Sequence, residues 1–87
     1  MENTELLERI KTSLGITGDY QDGTLLFYIE EVKNYMLDAG VPQEIVDSSK
    51  AIGVVSRGVS DLWNYGSGST TLSPYFKERV VQLRAGE

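Results

Sequence analysis

The stretch from Lys50 to Gly66, KAIGVVSRGVSDLWNYG, places the strongest constraint on how this chain can fold. On a helical wheel of about 100° per residue, apolar and small side chains occupy roughly half of its circumference. These residues are Ala51, Ile52, Val54, Val55, Gly58, Val59, Leu62, Trp63 and Tyr65. A helix this apolar is not a surface helix, so we predict a central helix with neighbours on more than one side. Its predicted polar flank carries Lys50, Arg57, Asp61 and Asn64.

Small residues lie beside that polar flank, at Gly53, Ser56 and Ser60. A glycine inside a helix costs about 1 kcal/mol relative to alanine, and the interior of this helix contains two, Gly53 and Gly58. Two explanations are open. Either another helix of the same chain approaches closely, or a neighbouring copy of the protein does.

The composition excludes several classes of protein. The chain has 87 residues, enough for one domain. It contains no cysteine and no histidine, which removes disulfides, thiolate metal sites and the usual general base near neutral pH. No apolar run reaches the roughly 18 residues of a membrane span, and the acidic, amphipathic N-terminus does not fit a signal peptide.

The remaining polar residues do not form a recognisable catalytic or ligand-binding motif. Residues 17–23 (TGDYQDG) lack the spacing and the closing glutamate of a calcium loop. Residues 66–71 (GSGSTT) lack the lysine and the preceding strand of a phosphate loop. Serines are plentiful, but no lysine is placed to activate them. We therefore expect no catalytic residues, no cofactor and no metal, and predict that the chain is not an enzyme.

The net charge of −5 is distributed unevenly. Residues 1–49 carry three basic and ten acidic side chains (3 − 10 = −7), whereas residues 50–87 carry five basic and three acidic ones (5 − 3 = +2). One explanation for this charge asymmetry is that these charged residues simply lie on solvent-exposed helix faces. Alternatively, the two ends dock on each other or on different partners.

The apolar spacing is helical throughout and no stretch indicates a strand pair, so the sequence predicts an all-α fold. We expect a small bundle of four main helices plus a short connector helix. The predicted elements are helices over about Thr4–Leu14, Gln21–Ala39, Lys50–Gly66 and Pro74–Arg84, and the connector at Pro42–Asp47. Gly15 and Gly40 end the first two helices, and Ser73 with Pro74 starts the last one.

The chain divides into a helical core over residues 1–66 and a second part over residues 67–87. This second part consists of a flexible Gly/Ser loop, within residues 66–71, and the C-terminal helix. The narrow apolar stripe of that helix, Phe76, Val80 and Leu83, docks either on the core or on a partner. Phe27 also leaves two possibilities, because it projects nearly opposite the apolar stripe of the second helix. It packs under the first helix or its loop, or it is an exposed anchor for another subunit.

Several segments resemble the head–tail connector proteins of long-tailed bacteriophages and prophages, the small adaptor or DNA-packaging proteins encoded near the capsid genes. They are LLERIKTSLGITGDYQD, YIEEVKNYML, VPQEIV, RGVSDLWNYGSG and LSPYFKERVVQL. The resemblance covers almost the whole chain, and DLWNYG and LSPYF are its most specific parts.

This resemblance implies a structural virion protein. Such connectors are helical bundles that assemble beneath the portal as a ring of about a dozen copies, and the free protomers are often monomeric. The ring extends the DNA channel, through which DNA passes without specific binding, and offers a docking surface to tail completion or stopper proteins. It implies a location at the virion head–tail junction, and in the host cytoplasm during assembly.

Carried onto this chain, the resemblance makes the acidic second helix and Phe27 candidates for subunit contacts. Residues 66–71 and the helix from Ser73 become candidates for portal docking. The full set of candidate subunit or portal interface residues is Phe27, Glu31, Gly53, Ser56, Leu72, Tyr75, Lys77, Arg79 and Val81.

The main rival is a small helical regulatory or nucleic-acid-associated interaction module. The overall acidity disfavours generic DNA binding. In addition, the basic residues of the last helix, Lys77, Arg79 and Arg84, do not form one face, as a recognition helix would require.

Overall fold

A computed structural model describes residues 3–65 and 72–85 of the chain. Within this part, the fold consists of α-helices, with one 3₁₀ turn and no strand. The helices are α1 (Asn3–Leu14), α2 (Asp22–Asp38), α3 (Gln43–Val46), α4 (Ile52–Tyr65) and α5 (Pro74–Arg84), and the 3₁₀ turn, Ser49–Ala51, leads into α4. The predicted all-α bundle of four main helices and a short connector is confirmed. Residues 66–71, predicted as a flexible loop, lie outside the described residues.

Two glycines end the first two helices in the same way. Gly15 and Gly40 both have positive φ values, of 73° and 99°, which glycine adopts without steric cost. After Gly15, the amide of Ile16 donates to the carbonyl of Lys11. After Gly40, the amide of Val41 donates to the carbonyl of Met36. These bonds are those of the Schellman motif, which reverses the chain and satisfies the last carbonyls of each helix.

The helix α4 is central, as the sequence predicts. It contacts α1, α2 and α5, and its buried residues are Val54, Val55, Gly58, Val59, Asp61 and Leu62. The predicted apolar arc is too wide at one edge, because Tyr65 at the end of the helix is 72% exposed. Within the described residues, the helix therefore buries one side and leaves the other, around Gly53, only partly covered.

The last helix packs on the same protomer. Ser73 is its N-cap, since the Ser73 hydroxyl accepts a hydrogen bond from the amide of Phe76 (3.2 Å). Phe76, Val80 and Leu83 are buried in the core, and the ring of Phe76 lies 5.7 Å from that of Tyr35 on α2. Of the two possibilities for this apolar stripe, the structure therefore shows docking within the chain. Side chains from both predicted parts, 1–66 and 67–87, share one hydrophobic core.

In the described part of the chain, three charged side chains are buried, although sequence reasoning placed none of them in the core. Asp61 was expected on an exposed polar flank, but it is only 4% exposed. Lys11 and Lys33 are also buried. The two lysines each have oxygen partners on other helices. The ammonium of Lys11 lies 2.8 Å from the Asp22 carboxylate, and that of Lys33 lies 2.7 Å from the Asn3 side-chain oxygen.

Candidate functional site

The structure distributes the nine predicted interface residues over three helices and one connecting position. Phe27 and Glu31 lie on α2, Gly53 and Ser56 on α4, and Tyr75, Lys77, Arg79 and Val81 on α5. Leu72 differs from the others because it is only 5% exposed and belongs to the hydrophobic core. In this structure, Leu72 offers almost no surface to a partner.

The outward side of α2 forms an acidic surface around one aromatic ring. We call this surface the α2 ridge; it comprises Phe27, Glu30, Glu31, Asn34 and Asp38. At about 100° per residue, Phe27 lies roughly 140–160° around the helix from the buried residues Ile29 and Val32. Phe27 is 60% exposed, so it does not pack under α1, and its ring is tilted against that of Tyr28 at 6.1 Å.

The charge of the α2 ridge is not neutralised by its own helix. The ridge carries three carboxylates, and the single lysine of α2, Lys33, is buried beside Asn3 and Asp47. The Nδ2 group of Asn3 donates to one of these carboxylates, that of Glu30. The ridge therefore presents an exposed aromatic ring within a negative field.

A cleft of about 370 Å³ adjoins the α2 ridge. Its described lining consists of Glu31, Val32, Asn34, Tyr35, Asp38, Leu62 and Leu72. One carboxylate oxygen of Glu31, Oε2, is buried and has no hydrogen-bond partner among residues 3–65 and 72–85. A buried acceptor left unsatisfied is costly, so this edge of the ridge favours a cationic or hydrogen-bond-donating neighbour.

The partly covered side of α4 is a second surface. We call it the open α4 face; it comprises Ile52, Gly53, Ser56, Ser60 and Trp63, all of which are half-buried except Gly53, which is exposed. A Cβ atom built on Gly53 would have no atom within 4 Å other than those of its own helix backbone and chain neighbours. Gly53 is therefore not required by any contact within the described protomer.

Gly58, on the opposite side of α4, accounts for the close approach within the chain. A Cβ atom there would lie 2.7 Å from Cε1 of Phe76 and 2.9 Å from a methyl group of Val32. Of the two explanations for small residues in this helix, contact within the chain thus applies to Gly58. It leaves Gly53 unexplained.

A polar cluster at one edge of α4 anchors the start of α5. The buried carboxylate of Asp61 accepts a hydrogen bond from the backbone amide of Ser73 (3.0 Å) and pairs with Nε of Arg57 (3.3 Å). The guanidinium of Arg57 also lies over the ring of Tyr75, 5.1 Å from its centre. The ion pair joins Arg57 to Asp61, and the cation–π contact joins Arg57 to Tyr75.

A second ion pair joins α1 to the start of α2. The pKa of Lys11 is raised above its usual value of 10.5, mainly because its ammonium donates a hydrogen bond to the Asp22 carboxylate. This pair lies away from the α2 ridge and is structural.

Across residues 3–65 and 72–85, no cluster of three or more acidic side chains is arranged to hold a metal ion. No helix in the same ranges has both the length and the apolar character needed to cross a bilayer.

Comparison with known proteins gives one match. No curated protein and no solved structure matches the chain. A family model described as "Phage gp6-like head-tail connector protein" matches residues 4–85. The match spans nearly the whole sequence and includes every helix from α2 to α5 and almost all of α1. The chain therefore belongs to the phage gp6-like head–tail connector family, a family of structural phage proteins.

Proposed function

We propose that this protein is an adaptor that assembles into a ring beneath the phage portal, extends the DNA channel and provides the docking surface for tail completion or stopper proteins. Membership of the connector family supports a structural role at the head–tail junction. The observation that carries the assembly step is the α2 ridge, on which Phe27 is 60% exposed. Large exposed aromatic side chains typically anchor protein–protein interfaces.

The C-terminal segment is the proposed contact with the portal. Tyr75 and Val81 are large exposed side chains on α5, and Lys77 on the same helix adds an exposed positive charge. If docking requires α5 to move, the Asp61–Ser73 hydrogen bond must break and Phe76 must leave the core. Such a rearrangement would need compensating contacts on the portal.

We also propose that DNA passes through the ring without specific binding and that the protein has no catalytic activity. The net charge of −5 supports the first point, because an acidic protein repels the phosphate backbone. The absence of histidine and cysteine from the whole sequence supports the second, since these residues supply the usual bases and nucleophiles.

The mass of the protein in solution, measured alone and with the purified portal protein, tests this function. We expect a monomer alone, and a complex with the portal that contains about a dozen copies. A protein that does not associate with the portal, and that instead forms a stable dimer and is retained on DNA in a salt-dependent way, would contradict the proposal. That result would favour the regulatory or nucleic-acid-associated module.

A further inference from the structure

The geometry points to a specific contact between copies: we propose that the α2 ridge of one protomer docks on the open α4 face of the next. This inference rests on the proposed self-assembly and deepens it, because it assigns the two surfaces that meet. The occupant of the open α4 face is thus a second copy of the same chain.

The first argument is the direction of the two surfaces. On α2, Phe27 lies roughly 140–160° from the residues that face the core. On α4, Gly53, Ser56 and Ser60 lie about 140–160° from Gly58, the residue that packs against Val32 of α2. The ridge and the open face therefore look away from each other across the α2–α4 pair, which is the most extensive helix contact of the protomer.

Two different surfaces on opposite sides of a protomer suit a head-to-tail contact. When such a contact repeats, it generates a closed ring or an open filament, whereas a two-fold dimer uses the same surface on both copies. The positions of the two surfaces on opposite sides of the protomer therefore fit the ring proposed for this protein.

The second argument is charge. The α2 ridge carries Glu30, Glu31 and Asp38, and all three lie on its outward side. The open α4 face itself carries no charged side chain. Lys50 and Arg57, both exposed, lie at its border, three and four residues from Gly53, and Arg57 also pairs with the buried Asp61. In the proposed contact, the negative ridge would meet an uncharged surface with cations at its border, whereas ridge-to-ridge pairing would bring like charges together.

The third argument is shape. The ridge is raised by the ring of Phe27, whereas the open α4 face lacks a side chain at Gly53 and has only hydroxymethyl groups at Ser56 and Ser60. Small residues on a helix let another helix approach closely. The half-buried Ile52 and Trp63 supply apolar surface beside them.

Substitutions on each surface test the contact separately from folding. Phe27→Asp and Gly53→Leu should each weaken ring assembly on the portal by about tenfold or more. Neither residue supports the protomer core, so Phe27→Asp should melt near the wild-type temperature. Gly53→Leu should melt at or above it, because leucine is the better helix former. Tyr20→Asp is the matched control, because Tyr20 is 92% exposed but lies outside the ridge, and it should assemble normally.

Disulfide trapping tests which surfaces meet. The chain has no cysteine, so Phe27→Cys and Gly53→Cys introduce the only thiols. After assembly on the portal and mild oxidation, the double variant should give a ladder of covalent oligomers. A mixture of the two single variants should stop at dimers, and neither single variant should cross-link by itself.

The outcomes separate this inference from the function on which it rests. If the wild-type protein forms no portal-bound ring, the proposed function fails and this contact fails with it. If rings form, but the double variant yields no ladder and Phe27→Asp assembles like the wild type, the contact is wrong while the connector function stands. A symmetric dimer trapped by Phe27→Cys alone would also overturn the head-to-tail arrangement.

Discussion

The two glycines of α4 should respond oppositely to the same substitution. Replacing either by alanine removes the conformational cost of a helical glycine, a gain of up to about 1 kcal/mol. At Gly53 nothing opposes this gain, because the added methyl group meets no atom within 4 Å. We therefore expect Gly53→Ala to raise the free energy of unfolding.

At Gly58 the added methyl group would be too close to its neighbours. It would lie 2.7 Å from Cε1 of Phe76 and 2.9 and 3.0 Å from the two methyl groups of Val32. Phe76 and Val32 are both fully buried, so neither can move without disturbing other core residues. Overpacking of this kind typically costs about 1–3 kcal/mol.

Comparison of the two variants isolates this packing cost, because the helix-propensity gain is common to both. The free energies of unfolding of Gly53→Ala and Gly58→Ala should differ by about 1–3 kcal/mol. For a domain of this size, each kcal/mol shifts the melting temperature by about 4–8 °C. Urea and thermal unfolding followed by circular dichroism, at one protein concentration, would measure the difference. Equal shifts in the two variants would refute the close packing of α2, α4 and α5 at Gly58.

Three further predictions concern the anchoring of α5 and the pairing of α1 with α2. Asp61→Ala should lower the free energy of unfolding by about 1–3 kcal/mol in a urea titration, because it leaves the Ser73 amide without its acceptor. Asp61→Asn retains an acceptor and should lose less stability. An alanine variant as stable as the wild type would show that this carboxylate does not anchor α5. Phe76→Ala should cost about 3–5 kcal/mol in the same titration, and a loss below 1 kcal/mol would mean that α5 is not held in the core. Because the pKa of Lys11 is raised in the folded state, the charged lysine stabilises the fold fully at pH values below its ordinary pKa of 10.5. This stabilisation is lost as the pH rises through the higher folded-state pKa. As the pH rises from neutral, the difference in stability between the wild type and Asp22→Asn should therefore shrink only in that alkaline range, and a difference that already shrinks between about pH 7 and about pH 10 would contradict the assignment.

Local signals in the sequence predicted most of the helix ends. Gly15, Gly40 and the Ser73–Pro74 pair act through backbone conformation and capping within a few residues, so their effect does not depend on tertiary structure. The last helix begins and ends where it was predicted, at Pro74 and Arg84. The central position of α4 was also predictable from its own sequence, since its apolar arc is too wide to be covered by one neighbouring helix.

The features that sequence reasoning missed depend on partners distant in the chain. The pattern around Asp61 is that of a polar helix flank, and its burial follows from a hydrogen bond to residue 73, twelve positions later. Likewise, Gly53 and Gly58 have equal helix propensities, and only the positions of Val32 and Phe76 distinguish them. For Phe27, the wheel located the residue correctly but left its surroundings open, because nothing local indicates whether α1 covers it.

The bond between Asp61 and the amide of Ser73 has a consequence for how the family can diverge. A carboxylate that accepts a hydrogen bond from a backbone amide does not depend on the side chain of the residue that supplies the amide. The requirement for a particular side chain therefore applies to position 61, which supplies the acceptor, and to position 57, which forms the ion pair with it. Among related connectors, we expect residues 57 and 61 to change together, whereas residue 73 varies among the types that can cap a helix.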